Sequence, residues 1–395
     1  MTLSSSRVSP PLAAGNVAAG PIRAAYVHIP FCAHKCGYCD FASLAGADHL
    51  ADRYLDALER EIERVLEGRP APVETVFVGG GTPTRLTAAQ LERLTAMVSS
   101  WFPLVSGGEW TVEANPGTLD RDKVEVLVQG GVNRISLGAQ SFQRRSLAIL
   151  ERAHDPAEVV RGVELIASRF DRWSLDLIFG VPGSTLNDWK ADLSAALALG
   201  PSHLSCYGLI FEKGTPLWKR RRRGEVSSVP DELERAMFDH TVETLETAGL
   251  SAYEISNHAR PGHECRHNLI YWANEPFYGV GLGAAAYRNG ERTVNTRDLN
   301  AYLARIEAGR SPIGPRERLE PRARAGETAM LMLRRVVLGI DRAEFRLRTG
   351  YDLDTLYSDV IAKHLQRGWL EDDGRRVRLT RASWFLSDAV MVDFV

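Results

Sequence analysis

Short apolar runs alternate with helically spaced apolar positions from residue 24 to about residue 256. The run Ala24–Ile29 predicts a first strand, and Asp48–Glu67 carries an apolar residue near every fourth position, which predicts a helix. Further strands are predicted at Val73–Val78, Trp110–Glu113, Asn133–Leu137, Trp173–Phe179, His203–Ile210 and Ala252–Ser256. Further helices are predicted at Thr87–Val98, Asp120–Gln129, Gln143–Leu150, Pro156–Ser168, Leu186–Leu199 and Asp231–Ala248. Such alternation predicts an α/β fold, with a parallel sheet curled into an open or partial (β/α) barrel.

The alternation stops beyond residue 257. Residues 257–290 are rich in Gly, Asn, His and aromatics, and a short helix is predicted at Asn300–Ala308. Predicted elements after Glu320 are helices at Ala323–Val337, Arg342–Arg348 and Leu353–Arg367, a strand at Val377–Thr380 and a helical segment at Arg381–Val390. They indicate a mainly helical, winged-helix-like C-terminal domain. The predicted division is a disordered tail at 1–20, a core domain at 21–256, a connecting segment at 257–310 and a C-terminal domain at 311–395.

Composition excludes several classes of protein. The formal net charge of −2 over 395 residues gives no general case for binding nucleic acid. The first 20 residues are rich in Ser, Pro, Ala and Gly and have no sustained apolar core, so they do not read as a signal peptide. No apolar run is long enough to span a membrane. The chain has five cysteines, and because three of them are clustered, the sequence fits a reducing cytoplasm.

The clustered cysteines are Cys32, Cys36 and Cys39, in the stretch Y-V-H-I-P-F-C-A-H-K-C-G-Y-C-D-F that follows the first strand. Thiolates are the usual ligands of iron–sulfur clusters. Three ligands for a four-iron cluster would leave one iron open, and an open position distinguishes a catalytic metal site from a structural one. Two alternatives are a zinc site with His28 or His34 as fourth ligand, and a disulfide with a spare thiol.

Other chemistry-bearing residues fall at or near predicted strand ends, where sites gather in β/α barrels. The glycines of G-G-G-T-P-T at residues 79–84 allow the backbone to approach a ligand closely, although a tight turn alone would explain them. Glu113 closes the next strand and, taken alone, suits a solvated acid. Asp176 interrupts an apolar strand and therefore needs a partner, either a ligand or an internal salt bridge.

The cysteine stretch resembles the cluster motif of the radical S-adenosylmethionine (SAM) enzymes. Its form is similar to the branch that holds oxygen-independent coproporphyrinogen III dehydrogenase and its heme-chaperone relatives. The resemblance covers nearly the whole chain and implies a [4Fe-4S] cluster and a SAM site. It implies that Gly80, Gly81 and Thr82 bind the methionine part of SAM. The further SAM contacts that it implies are Tyr26, Glu113, Gln140, Arg152, Asp176 and Gly208.

The resemblance also implies a chemistry. SAM would chelate the open iron, and an electron from the reduced cluster, delivered by an electron donor, would release methionine and a 5′-deoxyadenosyl radical. In the dehydrogenase branch that radical takes hydrogen from a propionate side chain, which loses carbon dioxide. The cluster supplies the hard chemistry, and the protein orients and seals the site.

Two features separate the branches. The dehydrogenases have a further cysteine two residues beyond the third ligand, whereas Asp40-Phe41-Ala42 follows Cys39 here. The segment H-N-L-I-Y-W at residues 267–272 matches the H-N-x-x-Y-W motif of the heme-chaperone group. The resemblance therefore implies a protein that binds heme and delivers it to acceptors such as respiratory-chain proteins, some of them at the membrane. Oxidative decarboxylation of coproporphyrinogen III is the alternative.

Two heme-contact predictions follow. His267 is the predicted iron ligand, although a lone histidine is more often a hydrogen-bonded structural residue. Cys265 is a second candidate, but such a cysteine is commonly a small buried residue. The basic run Lys219–Arg223 suits heme propionates, an anionic membrane surface or an acidic partner, while a solvated loop is its usual explanation.

Overall fold

The computed structural model describes residues 21–395, so the predicted tail at 1–20 lies outside the described residues. The chain forms two compact units. The first comprises Ile22–Ile270 and Glu275–Glu317, and the second comprises Pro21, Tyr271–Asn274 and Arg318–Val395 among the described residues. Across residues 21–395, no helix combines the length and apolar character that a membrane crossing requires.

The first unit is built on one large sheet. The strands of this sheet are β1 (Ala24–Ile29), β4 (Val73–Gly80), β5 (Leu104–Ala114), β6 (Arg134–Gln140), β7 (Trp173–Phe179), β8 (His203–Gly208), β9 (Ser251–Ala252), β10 (Asn257–Ala259), β11 (Phe277–Val280), β12 (Ala285–Arg288), β13 (Glu291–Asn295) and β14 (Ile313–Glu317). The short strands β2 (Phe31–Cys32) and β3 (Leu44–Ala45) pair with each other in a separate two-stranded sheet. The helices of the first unit are α1 (Ala51–Val65), α2 (Ala88–Trp101), α3 (Arg121–Gln129), α4 (Arg144–Ile149), α5 (Pro156–Ala167), α6 (Leu186–Ala198), α7 (Pro216–Arg222), α8 (Asp231–Thr247), α9 (Arg266–Trp272, whose last residues belong to the second unit) and α10 (Leu299–Glu307).

Strands β1, β4, β5, β6, β7 and β8 lie side by side in chain order and all run parallel. Side-chain caps start the crossover helices: Thr87, Asp155 and Thr185 each form a reciprocal capping box with the residue three positions later. Parallel strands bring all their carboxyl ends to one edge of the sheet. The predicted α/β fold with a partial barrel is confirmed, and this edge is the expected place for a site.

The predicted strand Ala252–Ser256 is wrong. Residues 253–256 form a bend between β9 and β10, which pair antiparallel with each other, and β10 also pairs antiparallel with β8. The bend follows from its polar contacts, because the buried Tyr253 hydroxyl binds Nε2 of His203 at 2.9 Å, and the side chains of Glu254 and Asn257 hydrogen bond each other. The apolar run therefore packs inward without continuing the parallel sheet.

Most of the predicted connecting segment belongs to the first unit, and part of it extends the sheet. Strand β11 pairs parallel with β1, and β12, β13 and β14 continue antiparallel beyond it. The structure thus groups residues 275–317 with the barrel, while the sequence-based division separates 257–310 from it.

A buried carboxylate joins this extension to α1. Glu61 is 2% exposed and accepts hydrogen bonds from Tyr302 Oη at 2.5 Å, Asn295 Nδ2 at 2.6 Å and the Gly281 N–H at 2.9 Å. Burial raises the pKa of Glu61 to about 7, while the three donors oppose that rise. A buried carboxyl group stabilises the fold only when its oxygen atoms accept hydrogen bonds, as those of Glu61 do.

The second unit is mainly helical, as predicted. Its elements are α11 (Pro321–Leu333), β15 (Ile340–Asp341), α12 (Arg342–Thr349), α13 (Leu353–Gln366), β16 (Leu370–Asp372), β17 (Arg376–Leu379) and α14 (Ser387–Met391). Strand β17 lies between β15 and β16 in an antiparallel sheet. The three helices α11, α12 and α13, the short strand β15 between the first two, and the β16–β17 hairpin occur in the order of a winged-helix domain. This agrees with the winged-helix-like domain that the sequence predicts.

Candidate functional site

The three clustered cysteines lie beyond the carboxyl end of β1. Cys32 is buried on β2, and Cys36 and Cys39 are half-buried on the following loop, where the Cys39 N–H donates to the Cys36 carbonyl at 3.1 Å. All three are free thiols, and Cys32 interacts electrostatically with both of the others. Burial raises the pKa of Cys32 and of Cys39. Without a metal these thiols therefore favour their protonated form, and metal binding would displace the protons.

This donor set fits an iron–sulfur cluster. In such a cluster the thiolates bind separate irons. By contrast, residues 21–395 contain no group of three or more His, Cys, Asp or Glu side chains arranged to hold a single metal ion. His28 is not available as a zinc ligand, because its Nε2–H donates to the Ala42 carbonyl at 3.0 Å and its Nδ1 accepts from Tyr26 Oη at 3.0 Å.

The glycine turn after β4 fits closely against the cysteine strand. The Gly81 N–H donates to the Ile29 carbonyl and the Thr82 N–H to the Phe31 carbonyl, both at 2.8 Å. Gly80 has φ +104°, and a Cβ there would lie 2.2 Å from the His28 ring. Only glycine is compatible with both the conformation and the space. The turn therefore holds its backbone beside the cysteines, where a ligand's polar groups can reach it.

Glu113 faces this turn from the end of β5. Its Oε2 accepts a hydrogen bond from the Gly80 N–H at 2.9 Å. Burial raises the pKa of Glu113 to about 7, with the Gly80 bond opposing and the nearby Asp176 adding to the rise. A strongly perturbed carboxyl in such a position is typical of a functional site and argues against the solvated acid.

A hydrogen-bonded chain joins two of the cysteines through the strand ends. Thr82 Oγ1 lies 3.6 Å from Cys32 Sγ and accepts from Asn115 Nδ2 at 2.6 Å. Asn115 Oδ1 in turn accepts from Arg152 Nη2 at 2.6 Å, and Arg152 Nη1 donates to Cys36 Sγ at 3.3 Å. Asn115 is not among the residues that the sequence predicts for the site. Its position directly after a strand is the signal that could have identified it.

Gln140 and Asp176 complete the polar lining. Gln140 is the last residue of β6 and has φ +65°. Residues other than glycine rarely adopt this backbone conformation, and those that do are concentrated at functional sites. Both carboxylate oxygens of Asp176 accept from Ser136 Oγ, at 2.9 and 3.1 Å, and no described residue forms an ion pair with Asp176. Serine hydroxyls, and not a salt bridge, are thus its protein partners. Burial raises the pKa of Asp176.

The two remaining predicted SAM contacts also lie on the parallel strands. The Tyr26 ring stacks on Phe77 of the neighbouring strand, with centroids 6.3 Å apart. Gly208 ends β8 beside Phe179, the last residue of β7. Glu113, Arg152 and Asp176 interact electrostatically as one group, since Asp176 affects Glu113 and Arg152 affects Asp176. Most of the predicted SAM residues therefore lie at or near the carboxyl edge, whereas Tyr26 and Asp176 lie in the middle of β1 and β7. Their assignment to SAM remains a prediction.

The predicted heme ligand lies at the other end of the barrel. His267 is 1% exposed, and its Nδ1 lies 2.8 Å from Thr75 Oγ1 near the start of β4. Thr75 pairs with the first residue of β1, whereas Gly80 pairs with the last, so roughly 16 Å of strand separates Thr75 from the glycine turn. The His267 ring also lies 5.3 Å from the ring of Phe77, three residues before Gly80. Burial lowers the pKa of His267 to about 3.

Further buried polar residues surround His267. Cys265 Sγ donates to Glu109 Oε1 at 3.6 Å, and burial raises the pKa of this thiol to about 12. Glu109 also pairs with Arg172 at 3.2 Å and interacts electrostatically with the buried Arg134. We call Thr75, Glu109, Arg134, Cys265 and His267 the floor cluster. Its groups bind one another, as structural residues do.

The chain matches two protein families. Residues 26–196 match the Radical SAM superfamily, and residues 319–386 match the HemN C-terminal domain. Several relatives carry the name heme chaperone HemW. The relative from Bacillus subtilis is 35% identical over 95% of this chain and 99% of its own length, and the one from Synechocystis is 40% identical over 79% and 77%. The relative from Escherichia coli is 36% identical over 70% of this chain and 75% of its own length.

The fold also resembles a solved structure. Coproporphyrinogen III oxidase (HemN) from Escherichia coli, described as a radical SAM enzyme, superposes with a TM-score of 0.81 over 96% of this chain and 91% of its own. The two sequences are 22% identical, so this match supports the shared fold.

Proposed function

This chain belongs to the HemW family of radical SAM proteins, and we propose that it acts as a heme chaperone that binds heme and passes it to acceptor proteins. The observation that carries the proposal is the full-length similarity to the Bacillus subtilis heme chaperone, which extends over 95% of the chain. The loop after Cys39 supports it, because Asp40-Phe41 stands where the dehydrogenases carry a further cysteine. Coproporphyrinogen III decarboxylation is the rival function.

In this proposal the carboxyl edge of the barrel holds two cofactors. Cys32, Cys36 and Cys39 bind a [4Fe-4S] cluster, which supplies one-electron chemistry when bound. The glycine turn and Thr82 bind the amino-acid part of SAM, and the Arg152 guanidinium is suited to its carboxylate. The buried carboxyls lie where hydrogen-bond acceptors are needed for SAM's amino or hydroxyl groups.

The proposal also covers the cellular compartment, the electron donor and the heme acceptors. The chaperone works in the cytoplasm, takes electrons from a reducing partner and hands heme to respiratory-chain acceptors, some of them at the membrane. Nucleic acid is not a partner. The five free cysteines support a reducing compartment.

Two assays on one anaerobically reconstituted preparation test the proposal. A heme titration followed by the Soret band, then mixing with an apo-hemoprotein, measures binding and transfer. In parallel, the protein is incubated with SAM, a reductant and coproporphyrinogen III, and the porphyrins are analysed by mass spectrometry.

The proposal predicts saturable heme binding with transfer to the acceptor, and no decarboxylated porphyrin. Decarboxylated product would make the protein an enzyme of heme synthesis. Absence of heme binding by the intact, cluster-loaded protein would contradict the chaperone role directly.

A further inference from the structure

We infer that helix α7, with the segment before it, forms the heme-binding surface, and that its cations pair with the heme propionates. We call Ile210, Phe211, Trp218, Lys219, Arg221 and Arg222 the α7 surface. This inference rests on the proposed function and adds a location that the H-N-x-x-Y-W motif does not give.

Three cations of the basic run have no carboxylate partner among residues 21–395. Arg220 lies 3.5 Å from a carboxylate oxygen of Glu151, and Arg223 pairs with Glu225 at 2.5 Å. Lys219, Arg221 and Arg222 are exposed and form no ion pair with any residue in 21–395. In a chain whose net charge is −2, this is a local excess of positive charge that suits a small anion.

Aromatic rings hold two of these cations in place. The Arg221 guanidinium lies 4.8 Å from the centroid of Phe211, and that of Arg222 lies 5.2 Å from Trp218. A guanidinium stacked on a ring keeps its N–H groups in its own plane, free to donate to a carboxylate. The neighbouring Ile210 is 68% exposed. Apolar, aromatic and cationic groups thus share one surface.

The surface is attached directly to the cysteine loop. The Leu217 N–H donates to the carbonyl of Gly37, between the second and third cysteines, at 2.8 Å, and the Leu217 side chain is fully buried. Arg220 Nη1 reaches the Ile149 carbonyl at 3.4 Å, close to Arg152 and its contact with Cys36. Helix α7 is therefore fixed to the rim of the carboxyl edge.

The chemistry of the surface favours heme over two other anionic partners. Basic segments that bind membranes commonly carry about four to eight cations, and two of the five cations in this run already pair with Glu151 and Glu225. A stable interface with an acidic protein takes about 20 to 30 residues per partner, whereas the α7 surface has six. A porphyrin has two apolar faces and two carboxylates on one edge, which correspond to the exposed Ile210, the aromatic rings and the unpaired cations.

The inference also separates two locations for heme. The α7 surface borders the carboxyl edge, whereas His267 lies in the floor cluster at the opposite strand ends. Variants at the α7 surface therefore test this location without changing the floor cluster.

The experiment is a heme titration of the reconstituted full-length protein, its R221E/R222E variant and a control that exchanges the exposed Arg121 and Arg161 on α3 and α5 for Glu. The control makes the same change in net charge away from the α7 surface. Each protein is also titrated with heme dimethyl ester, which lacks the propionate charges. Binding to vesicles with and without anionic lipid is measured in parallel.

We expect R221E/R222E to weaken heme binding by about tenfold, because two ion pairs are replaced by repulsion. The control and wild-type protein should bind heme alike. Wild type should prefer heme to its ester, and the variant should lose that preference.

Equal heme affinity of the variant and wild type would overturn the inference while leaving the chaperone function intact. Loss of binding to anionic vesicles with unchanged heme affinity would likewise overturn it, in favour of a membrane surface. No heme binding by wild type would instead contradict the proposed function itself. Circular dichroism of each variant checks that the fold is retained.

Discussion

The two ends of the barrel are both lined with buried polar residues, but they use them differently. At the amino ends of the strands, Glu109 binds Arg172 and the Cys265 thiol, and His267 binds Thr75. At the carboxyl edge, thiols, strained backbone and carboxyls with raised pKa values gather around loops. Glu109, Cys265 and His267 each bind another protein group in the floor cluster, whereas the carboxyl edge keeps groups whose best partners would be ligands.

This difference teaches why residue type alone does not identify a site. A histidine and a cysteine in the floor cluster have the chemistry of metal ligands, yet burial and protein partners occupy them. At the carboxyl edge the backbone adopts an energetically unfavourable conformation, φ +65° at Gln140, which a purely structural edge would not need. Distinct consequences are therefore expected from changes at the two ends.

The largest expected effect is loss of the cluster. Cys36→Ala removes one of three thiolate ligands and should abolish iron and sulfide incorporation, measured by metal analysis and by the visible absorption of the reconstituted protein. Cys265→Ser is the matched control from the floor cluster and should keep the chromophore. An unchanged brown chromophore in Cys36→Ala would contradict the assignment of the site.

The next largest expected effect is a loss of stability after a change in the floor cluster. Glu109→Gln removes the charge that faces Arg172 and Arg134, and leaving cations uncompensated should lower the free energy of unfolding by roughly 3 kcal/mol. Urea unfolding measures the loss, and the exposed Glu92→Gln is the control. SAM affinity of the folded variant should stay within about twofold of wild type. A selective loss of SAM binding without loss of stability would mean that the floor serves the ligand.

A change at Asn115 tests the carboxyl edge of the barrel. Asn115→Ala breaks the chain from Thr82 to Arg152 and should weaken SAM binding roughly tenfold, consistent with the loss of two hydrogen bonds at a partly buried site. It should also shift the cluster's reduction potential, because the contacts to the cysteine sulfurs lose their support. Isothermal titration and redox-poised EPR measure the two effects.

Asn115→Asp keeps the acceptor for Arg152 and loses the donor to Thr82, so an intermediate result is expected. The exposed Asn187→Ala is the control. Wild-type affinity and potential in Asn115→Ala would remove the positioning role of this residue.

The smallest effect is a pH dependence. With a pKa of about 7 instead of 4.5, Glu113 holds more proton in the folded than in the unfolded state between these values. Its ionisation therefore costs stability as pH rises through this window when no SAM is bound. A carboxylate accepts hydrogen bonds better than a neutral carboxyl, so SAM affinity should rise several-fold from pH 6 to pH 8. Glu113→Gln should flatten that profile, and a profile unchanged in the variant would assign the titration to another group.

The sequence predicts most of the barrel because its signals are local. Helical spacing, capping residues such as Thr87 and glycine turns are each decided within a few positions. The extension β11–β14 is missed because its strands are short and pair with β1 from far along the chain. The error at Ala252–Ser256 has the same origin, since Tyr253 is drawn inward by a histidine 50 positions away.

The site divides in the same way. The cysteines and the glycine turn are recognisable because a few adjacent residues carry the chemistry. Asn115 is not recognisable from the sequence, because its role depends on contacts with Thr82 and Arg152, which the fold brings close to it from distant positions in the chain. The location of His267 is likewise decided by Thr75, which lies almost 200 positions earlier in the chain.

The most direct test of the central claim is an EPR measurement on the anaerobically reconstituted, reduced protein before and after SAM is added. The account places a three-cysteine cluster with one open iron at the carboxyl edge, beside the residues assigned to SAM. It predicts a [4Fe-4S]⁺ signal whose g values shift when SAM binds, and a smaller shift at equal SAM concentration in Asn115→Ala. A signal that SAM leaves unchanged, or bound zinc in place of iron and sulfide, would contradict it.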